Sequence, residues 1–546
     1  MQRGSVLQPS LIAIAKALSR ITLLVLAENA CTAAAFLQHS STRRIGVHHP
    51  TFRLTNPRDN ILMSHSKHLV LVGGGHAHAQ VIKALNKASR PKDLKVTLID
   101  SQKSASYSGM VPGCIAGAYT AEDTLLHLVP LSNWASIDFI NDQVVDIDLE
   151  RKEILLKSQE YPVSFDAVSL DIGSGSRALT ETKGALDHTI PTRPISDLVK
   201  LFDAETDKLS AASAGDDKVH VVVSGGGPAG IELSMSVMGR WQPIVGKDKI
   251  RVTVLNAGTE LVPSETDLNR EALVTAMTER GIEIQHESYV QQVLPNCVVL
   301  ESGEEVSCTH CLWATGAESH PLARQLGDRG LALSDRGWIR VNQYLQSVSH
   351  PFVFAAGDCN VIEGLSKPSP PKAGVYAVRS GPILVENLTK YLTASTEEES
   401  KTLTAYDPQD DFLKLLVCGD GTALGFRFGF PIQGKWVFEL KDAIDLSFMN
   451  LFKAENLPEL VEGKPYDNSQ YDVTGDRRPP LDPIDAAAIW RRTDEDVNFQ
   501  EAWDVLRDMA ADEQYKDSVL QILEESFGTG LNVQMNARVH EREVFK

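Results

Sequence analysis

Twice in this chain a continuous apolar run ends abruptly in three glycines and reopens as a helical pattern: HLVLVGGGHAHAQVIKAL at 68–85 and VHVVVSGGGPAGIELSMSV at 219–237. Each reads as strand, tight turn and helix. Such a turn lets the pyrophosphate of a dinucleotide approach the backbone and rest on the helix N-terminus, where unpaired N–H groups and the helix dipole favour negative charge. The second copy is complete, with Gly225, Gly227 and Gly230 at fingerprint spacing and Glu232 just inside the helix. The first keeps Gly73 and Gly75 but has His78 where the third glycine normally permits close packing of helix on strand. Each turn is followed by its own second strand. VTLID (96–100) ends in Asp100, placed to accept hydrogen bonds from an adenosine ribose, whereas VTVLNAG (252–258) offers Asn256 where an NAD-preferring site usually has an acid. The nicotinamide partner is therefore NADH or NADPH. One glycine fingerprint is also what an ordinary strand-to-helix turn looks like; two, each with a second strand, are hard to explain without dinucleotides.

Later segments supply what a flavin site needs. THCLWATGA (309–317) is a strand leading to Gly316, and PFVFAAGDC (351–359) is a buried-type strand ending in Gly357 and Asp358. Ligands in open α/β sheets sit at the carboxyl ends of strands, although an acid there also serves as an ordinary helix N-cap. In PPKAGVYAVRSGPIL (370–384) a proline pair and Lys372 open a helix whose N-terminus suits an anionic reduced flavin. A chain of 546 residues, 42% apolar and 23% charged, has room for two to four such globular units and is neither fibrous nor wholly disordered. A net charge of −19 argues against nucleic acid as a partner, because phosphate binding needs a basic face. Seven scattered cysteines suggest a reducing compartment rather than a disulfide framework, and no metal-ligand cluster is visible.

The ends differ from the middle. Residues 1–67 hold eight Lys/Arg against two acids, +6, leaving −25 for the rest. A basic start, the apolar run ITLLVLA (21–27) and small residues CTAAAFLQ (31–38) have the layout of a secretory signal; the Ser/Thr/Arg-rich stretch to 58 has that of a transit peptide. The combination resembles the bipartite plastid leader of algae with secondary plastids. The alternatives are a mitochondrial presequence, or a tail bypassed by starting at Met63, which leaves a cytosolic protein. Residues 481–546 carry a helical pattern and a charge of −8, as a solvated extension does.

The motifs GGGHAH (73–78), YSGMVPGCIAGAYT (107–120), LDIGS (170–174), GGGPAGIELS (225–234), LWATGA (312–317), FAAGDC (354–359), PKAGVYAVRSGP (371–382), YDPQ (406–409) and KDAIDLSFMNLF (441–452) together resemble the two-dinucleotide-binding-domain flavoproteins. This is the pyridine nucleotide-disulfide oxidoreductase class, which includes type II NADH:quinone and sulfide:quinone reductases, and the likeness is strongest to the flavoprotein module associated with selenide water dikinase. The resemblance implies an α/β fold: two Rossmann-like FAD- and NAD(P)H-binding domains, a C-terminal α+β interface domain and a helical extension. The expected division is a leader (1–67), an FAD domain in two parts (68–190 and 310–400) around an NAD(P)H domain (191–309), an interface domain (401–455) and a linker with acidic extension (456–546).

By that resemblance Gly73, Gly75, His76, Asp100, Gly173, Ser174, Gly357 and Asp358 hold FAD, and Gly225, Gly227, Gly230, Glu232 and Gly316 hold NAD(P)H. Lys372 is expected at the ring edge. Disulfide reductases carry a redox cysteine pair after the first unit, where this chain has only Cys114, the one thiol retained as a catalytic candidate. Cys308 and Cys311 have redox-motif spacing but lie on a strand, and a structural role is expected of them. A Cys114–Cys359 pair, as sulfide:quinone reductases need, stays open. The default acceptor is quinone-like, although Gly374 and Val378 stand where type II NADH dehydrogenases usually have two glutamines. A redox- or NAD(P)H-responsive scaffold linked to selenium metabolism is the alternative. The stripe Ile444, Phe448, Leu451 and Phe452 in 441–453 either touches a membrane surface or packs on the FAD domain. A homodimer is compatible with the family.

Overall fold

The computed structural model describes residues 66–212, 218–394, 396, 402–409, 412–427 and 430–461. The leader and the acidic extension expected from the sequence lie outside the described residues, apart from the short stretches 66–67 and 456–461.

The two glycine turns open two parallel sheets of the same plan. In the first unit β1 (Lys67–Val72) turns into α1 (His76–Ala84), then come β2 (Leu94–Asp100), the short helix α2 (Val111–Ala116), β3 (Asp138–Asn141) and β4 (Ala167–Leu170). The second unit runs β5 (Val219–Ser224), α3 (Pro228–Val245), β6 (Ile250–Leu255), β7 (Ile282–Gln285) and β8 (His310–Trp313). The chain then returns to the first unit with β9 (Val353–Ala355), the fifth strand of its sheet. The first sheet has the order β9-β4-β1-β2-β3; the second has a two-residue edge piece, Ile190–Pro191, followed by β8-β5-β6-β7. Every pairing in both sheets is parallel. Parallel strands are covered on both faces, which explains why β1 and β5 read as unbroken apolar runs: Leu69–Val72 and Val221–Val223 are all buried.

β8 corrects one expected boundary. The sequence puts the return to the first unit at 309/310, but His310–Trp313 pairs with β5 in the second sheet, so the crossing lies beyond Trp313. The apolar run alone does not say which of two similar sheets a strand joins.

After β9, α4 (Gly374–Thr393) packs along α1, where Gln80 Nε2 donates to the Val378 carbonyl at 2.7 Å. A three-stranded antiparallel sheet (Lys414–Val417, Ala423–Arg427, Phe430–Gly434) and α5 (Lys435–Asn450) form the expected α+β segment. The small sheet docks on the second unit, with Arg280 donating to the Cys418 carbonyl at 3.0 Å and paired with Asp420 at 2.5 Å. α5 crosses to the first: Phe448, Met449, Leu451 and Phe452 are buried in its core. Among the four stripe residues only Ile444 is exposed, at 37%. The apolar face of 441–453 therefore packs on the first unit. The described part of the linker also stays close, because Trp134 Nε1 donates to the Pro458 carbonyl at 2.8 Å.

Candidate functional site

A cavity of about 2500 Å³ lies where the two sheets' carboxyl ends and α5 meet. It touches both glycine turns and runs down to α5, large enough for ligands of dinucleotide size.

At the first turn the glycines are dictated by neighbours. Gly73 has φ +88°, and a Cβ there would strike the Asp171 carbonyl; a Cβ on Gly75 would strike the Asp171 carboxylate. The missing third glycine has a physical explanation. The His78 ring is fully buried, with Nδ1 2.6 Å from the Gly73 carbonyl and Nε2 2.8 Å from Ser169 Oγ. A carbonyl only accepts, so Nδ1 carries the proton and Nε2 accepts from the serine hydroxyl. The histidine thus ties the turn to β4, and burial pushes it down to about 4, leaving it neutral. Asp100 lines the cavity and steadies the same turn by accepting from the Gly74 N–H at 2.6 Å. His76 also lines the cavity, its ring edge-on to Tyr107 (5.2 Å between centroids) and Phe448 (5.9 Å). Its Nε2 is buried with no hydrogen-bond partner among the described residues, and burial holds it near 4.

Further along the cavity, Gly173 has φ +66° and leads to Ser174, which donates to Asp358 Oδ2 at 3.2 Å. Arg193, which the sequence reading missed, pairs with the same oxygen at 2.6 Å. Gly357 has φ +70°, and a Cβ there would lie 2.7 Å from Asp171 Oδ1. Lys372 lines the cavity; its ammonium donates to the Asn360 carbonyl and lies 4.5 Å from the Trp338 ring centroid, and burial lowers its pKa.

The second turn repeats the logic. A Cβ on Gly225 (φ +127°) would strike the Ala314 carbonyl, and one on Gly230 the Gly225 carbonyl. Gly227 differs: it faces open cavity, with nothing within 4 Å of a built Cβ and an ordinary φ of −82°. Gly316 (φ +101°) lies beside Arg177 at the cavity wall. The Asn256 side-chain nitrogen is engaged by its own loop, donating to the Gly258 and Glu260 carbonyls at 2.9 Å each.

Glu232 also lines the cavity. One carboxyl oxygen accepts from the Val417 N–H at 2.8 Å, and burial raises the group to about 7 against the pull of Lys441. It belongs to a buried set at the cavity floor rather than to the glycine turn. In that set Lys441 pairs with Asp445 at 2.6 Å and donates to the Gly109 carbonyl, while the Tyr107 hydroxyl donates to Asp445 at 3.1 Å. Lys441 and Asp445 were missed as site residues although they stand one helical turn apart in a motif already singled out; the i, i+4 opposite charges were the available signal.

Cys114 is not at the site. α2 packs on α3, and the thiol is buried in the second core, where desolvation raises it to about 11. Cys359 lies in the first core, donating to the Leu170 and Ala356 carbonyls. Both are free, so the disulfide left open by the sequence is not formed. Cys308 and Cys311 are free and buried in a third cluster, the structural role expected of them.

The sequence pattern of the pyridine nucleotide-disulphide oxidoreductases matches residues 67–381. A type II NADH:quinone oxidoreductase of Staphylococcus aureus is 23% identical over 393 residues, 69% of this chain and 94% of its own. Two solved structures share the fold. The sulfide:quinone oxidoreductase of Aquifex aeolicus has a TM-score of 0.59 at 18% identity, covering 72% of this chain and 93% of its own. NDH2 of Plasmodium falciparum in complex with NADH has a TM-score of 0.60 at 13% identity, covering 70% and 94%.

Proposed function

The chain belongs to the pyridine nucleotide-disulphide oxidoreductase family, and from that premise we propose that it is an FAD-dependent NADH oxidoreductase whose acceptor is quinone-like. The residues present fit both dinucleotides. Cβ-intolerant glycines line the first turn beside Asp100, while open space at Gly227 leaves room for a pyrophosphate at the second. Gly73, Gly75, Asp100, Ser174 and Asp358 would hold FAD; Gly225, Gly227 and Gly316 would hold NADH. FAD supplies the two-electron chemistry that takes hydride from a nicotinamide.

The acceptor reading is carried by the buried set at the floor. Reducing a quinone to a quinol takes two electrons and two protons, and NADH brings one hydride, so a proton must come from the protein or solvent. Glu232, with its carboxyl raised to about 7, exchanges a proton near neutrality. Lys441 and Asp445 keep that carboxyl in a polar setting, and the Tyr107 hydroxyl extends the set along the wall. These groups bind and orient a polar head and supply its proton, while the apolar lining from Phe448 excludes water.

Rapid mixing tests this reading. The protein as purified is expected to be yellow, to bleach on addition of NADH and to recover its colour quickly with a soluble quinone. Recovery no faster with any quinone than with oxygen alone would sink the acceptor assignment and leave the NADH oxidoreductase standing. For location, the leader's composition supports a plastid address.

A further inference from the structure

We propose that Asp171 couples flavin binding to a proton: the chain holds the dinucleotide with Asp171 in its acid form, and the carboxylate form competes with it for the end of α1. The proposal rests on the reading of the first unit as the flavin site.

Asp171 follows β4 and is buried at the start of α1. Its Oδ2 accepts from the Ala77 N–H at 3.0 Å and the His78 N–H at 3.2 Å, so two donors of the helix end are already committed to a resident carboxyl group. Gly75 and Gly357 abut the same carboxyl closely enough that neither tolerates a Cβ. The acid is therefore wedged between the glycine turn and the segment of Asp358, and a pyrophosphate seated at this turn brings two negative charges beside it.

Among the described residues, the charges that act on the Asp171 carboxyl are acids, and no cation offsets them. On α1, His78 is neutral with both ring nitrogens engaged, and His76 is neutral through burial. Asp100 at the end of β2 and Asp358 beyond β9 are acids, and both push the Asp171 carboxyl upward. Cys359, below Asp358, stays a thiol, its pKa also pushed up by burial. Two cations of the cavity wall are engaged elsewhere: Arg193 is paired with Asp358 at 2.6 Å, and Lys372 donates to the Asn360 carbonyl. A proton on Asp171 meets the need at the carboxyl itself. It removes one charge and supplies an O–H donor, while the other oxygen continues to accept from α1. Burial already raises the carboxyl to about 7, so the proton is available near neutrality.

A bound dianion raises Asp171 further in the loaded protein, so binding takes up a proton. Affinity is greatest below the pKa of the flavin-free protein and falls as pH rises above it, by up to about tenfold per pH unit.

The test is FAD release on dilution of the flavin-loaded protein, read by flavin fluorescence between about pH 6 and 9. The dissociation constant is expected to be level up to about pH 7 and then to climb by up to about tenfold per unit; Asp171→Asn, which keeps an acceptor for α1 but cannot ionise, is expected to be level throughout. A level wild-type curve overturns the proposal, and so does a slope that survives in Asp171→Asn. Should that variant fail to fold, calorimetric titration of FAD at about pH 8 in two buffers of different ionisation heat decides with the wild type alone: uptake of about one proton supports the proposal and zero uptake overturns it. A protein that binds no FAD at any pH overturns the flavin reading itself, and the proposal with it.

Discussion

At the scale of single residues, the site is marked by ionisable groups held in unusual protonation states by burial. Asp171 and Glu232 are raised to about 7, and His76 and His78 are lowered to about 4. The two kinds oppose each other in stability. An acid with a raised folded pKa contributes stability that is full below its unfolded value, about 4, and is lost as pH rises through about 7. A histidine with a lowered folded pKa contributes stability that is full above its unfolded value, about 6.5, and is lost as pH falls through about 4. The wild-type stability profile between these limits is expected to be shallow, and single variants should uncover the hidden slopes. Glu232→Gln, which still accepts from Val417, should gain in thermal midpoint relative to wild type as pH rises from about 4 to about 7. A difference between the two proteins that stays constant across that range in a scanning measurement would mean that Glu232 does not titrate there.

At the scale of elements, the glycines of one turn do different work, and the difference is measurable. Gly230 lets the first turn of α3 press on the backbone of Gly225, so Gly230→Ala must force the two apart and is expected to cost about 1–3 kcal/mol in denaturant unfolding. Gly227 meets nothing, and its φ suits any residue; Gly227→Val should leave the unfolding free energy within about 0.5 kcal/mol of wild type while filling the space that the nicotinamide dinucleotide needs. Its flavin should stay bound and bleach at least about tenfold more slowly with NADH, a loss of about 1.4 kcal/mol or more in binding. Unchanged NADH affinity in that variant would remove the second unit from the mechanism. α5 makes a similar point about faces. Its apolar stripe was legible in the sequence, but whether it met lipid or protein was not, because amphipathicity records that a face is covered and leaves open by what.

At the scale of the whole molecule, two parallel sheets are joined by a chain that leaves the first, completes the second and returns, and the floor of the cavity exists only where α5 crosses from one to the other. Both cores close within the described residues. A chain begun at Lys67 is therefore expected to keep the flavin content and thermal midpoint of the full-length protein, while a fluorescent reporter carrying residues 1–67 is expected in the plastid of an alga with secondary plastids. A reporter that stays in the cytosol would discard the plastid address without touching the enzyme. What the sequence determined by itself is the pair of glycine turns, their strands and the acids at the strand ends, because a tight turn against a parallel strand imposes local rules that neighbouring residues must obey. It also carried the charge of the ends and the poverty of paired thiols. Only the tertiary structure decided that β8 belongs to the second sheet, that Cys114 is core, that Glu232 joins Lys441 on the floor and that Asp171 occupies the end of α1. Each of these depends on which distant segment comes to rest beside a residue, and burial and charge at a site are properties of that neighbourhood, which no local pattern contains.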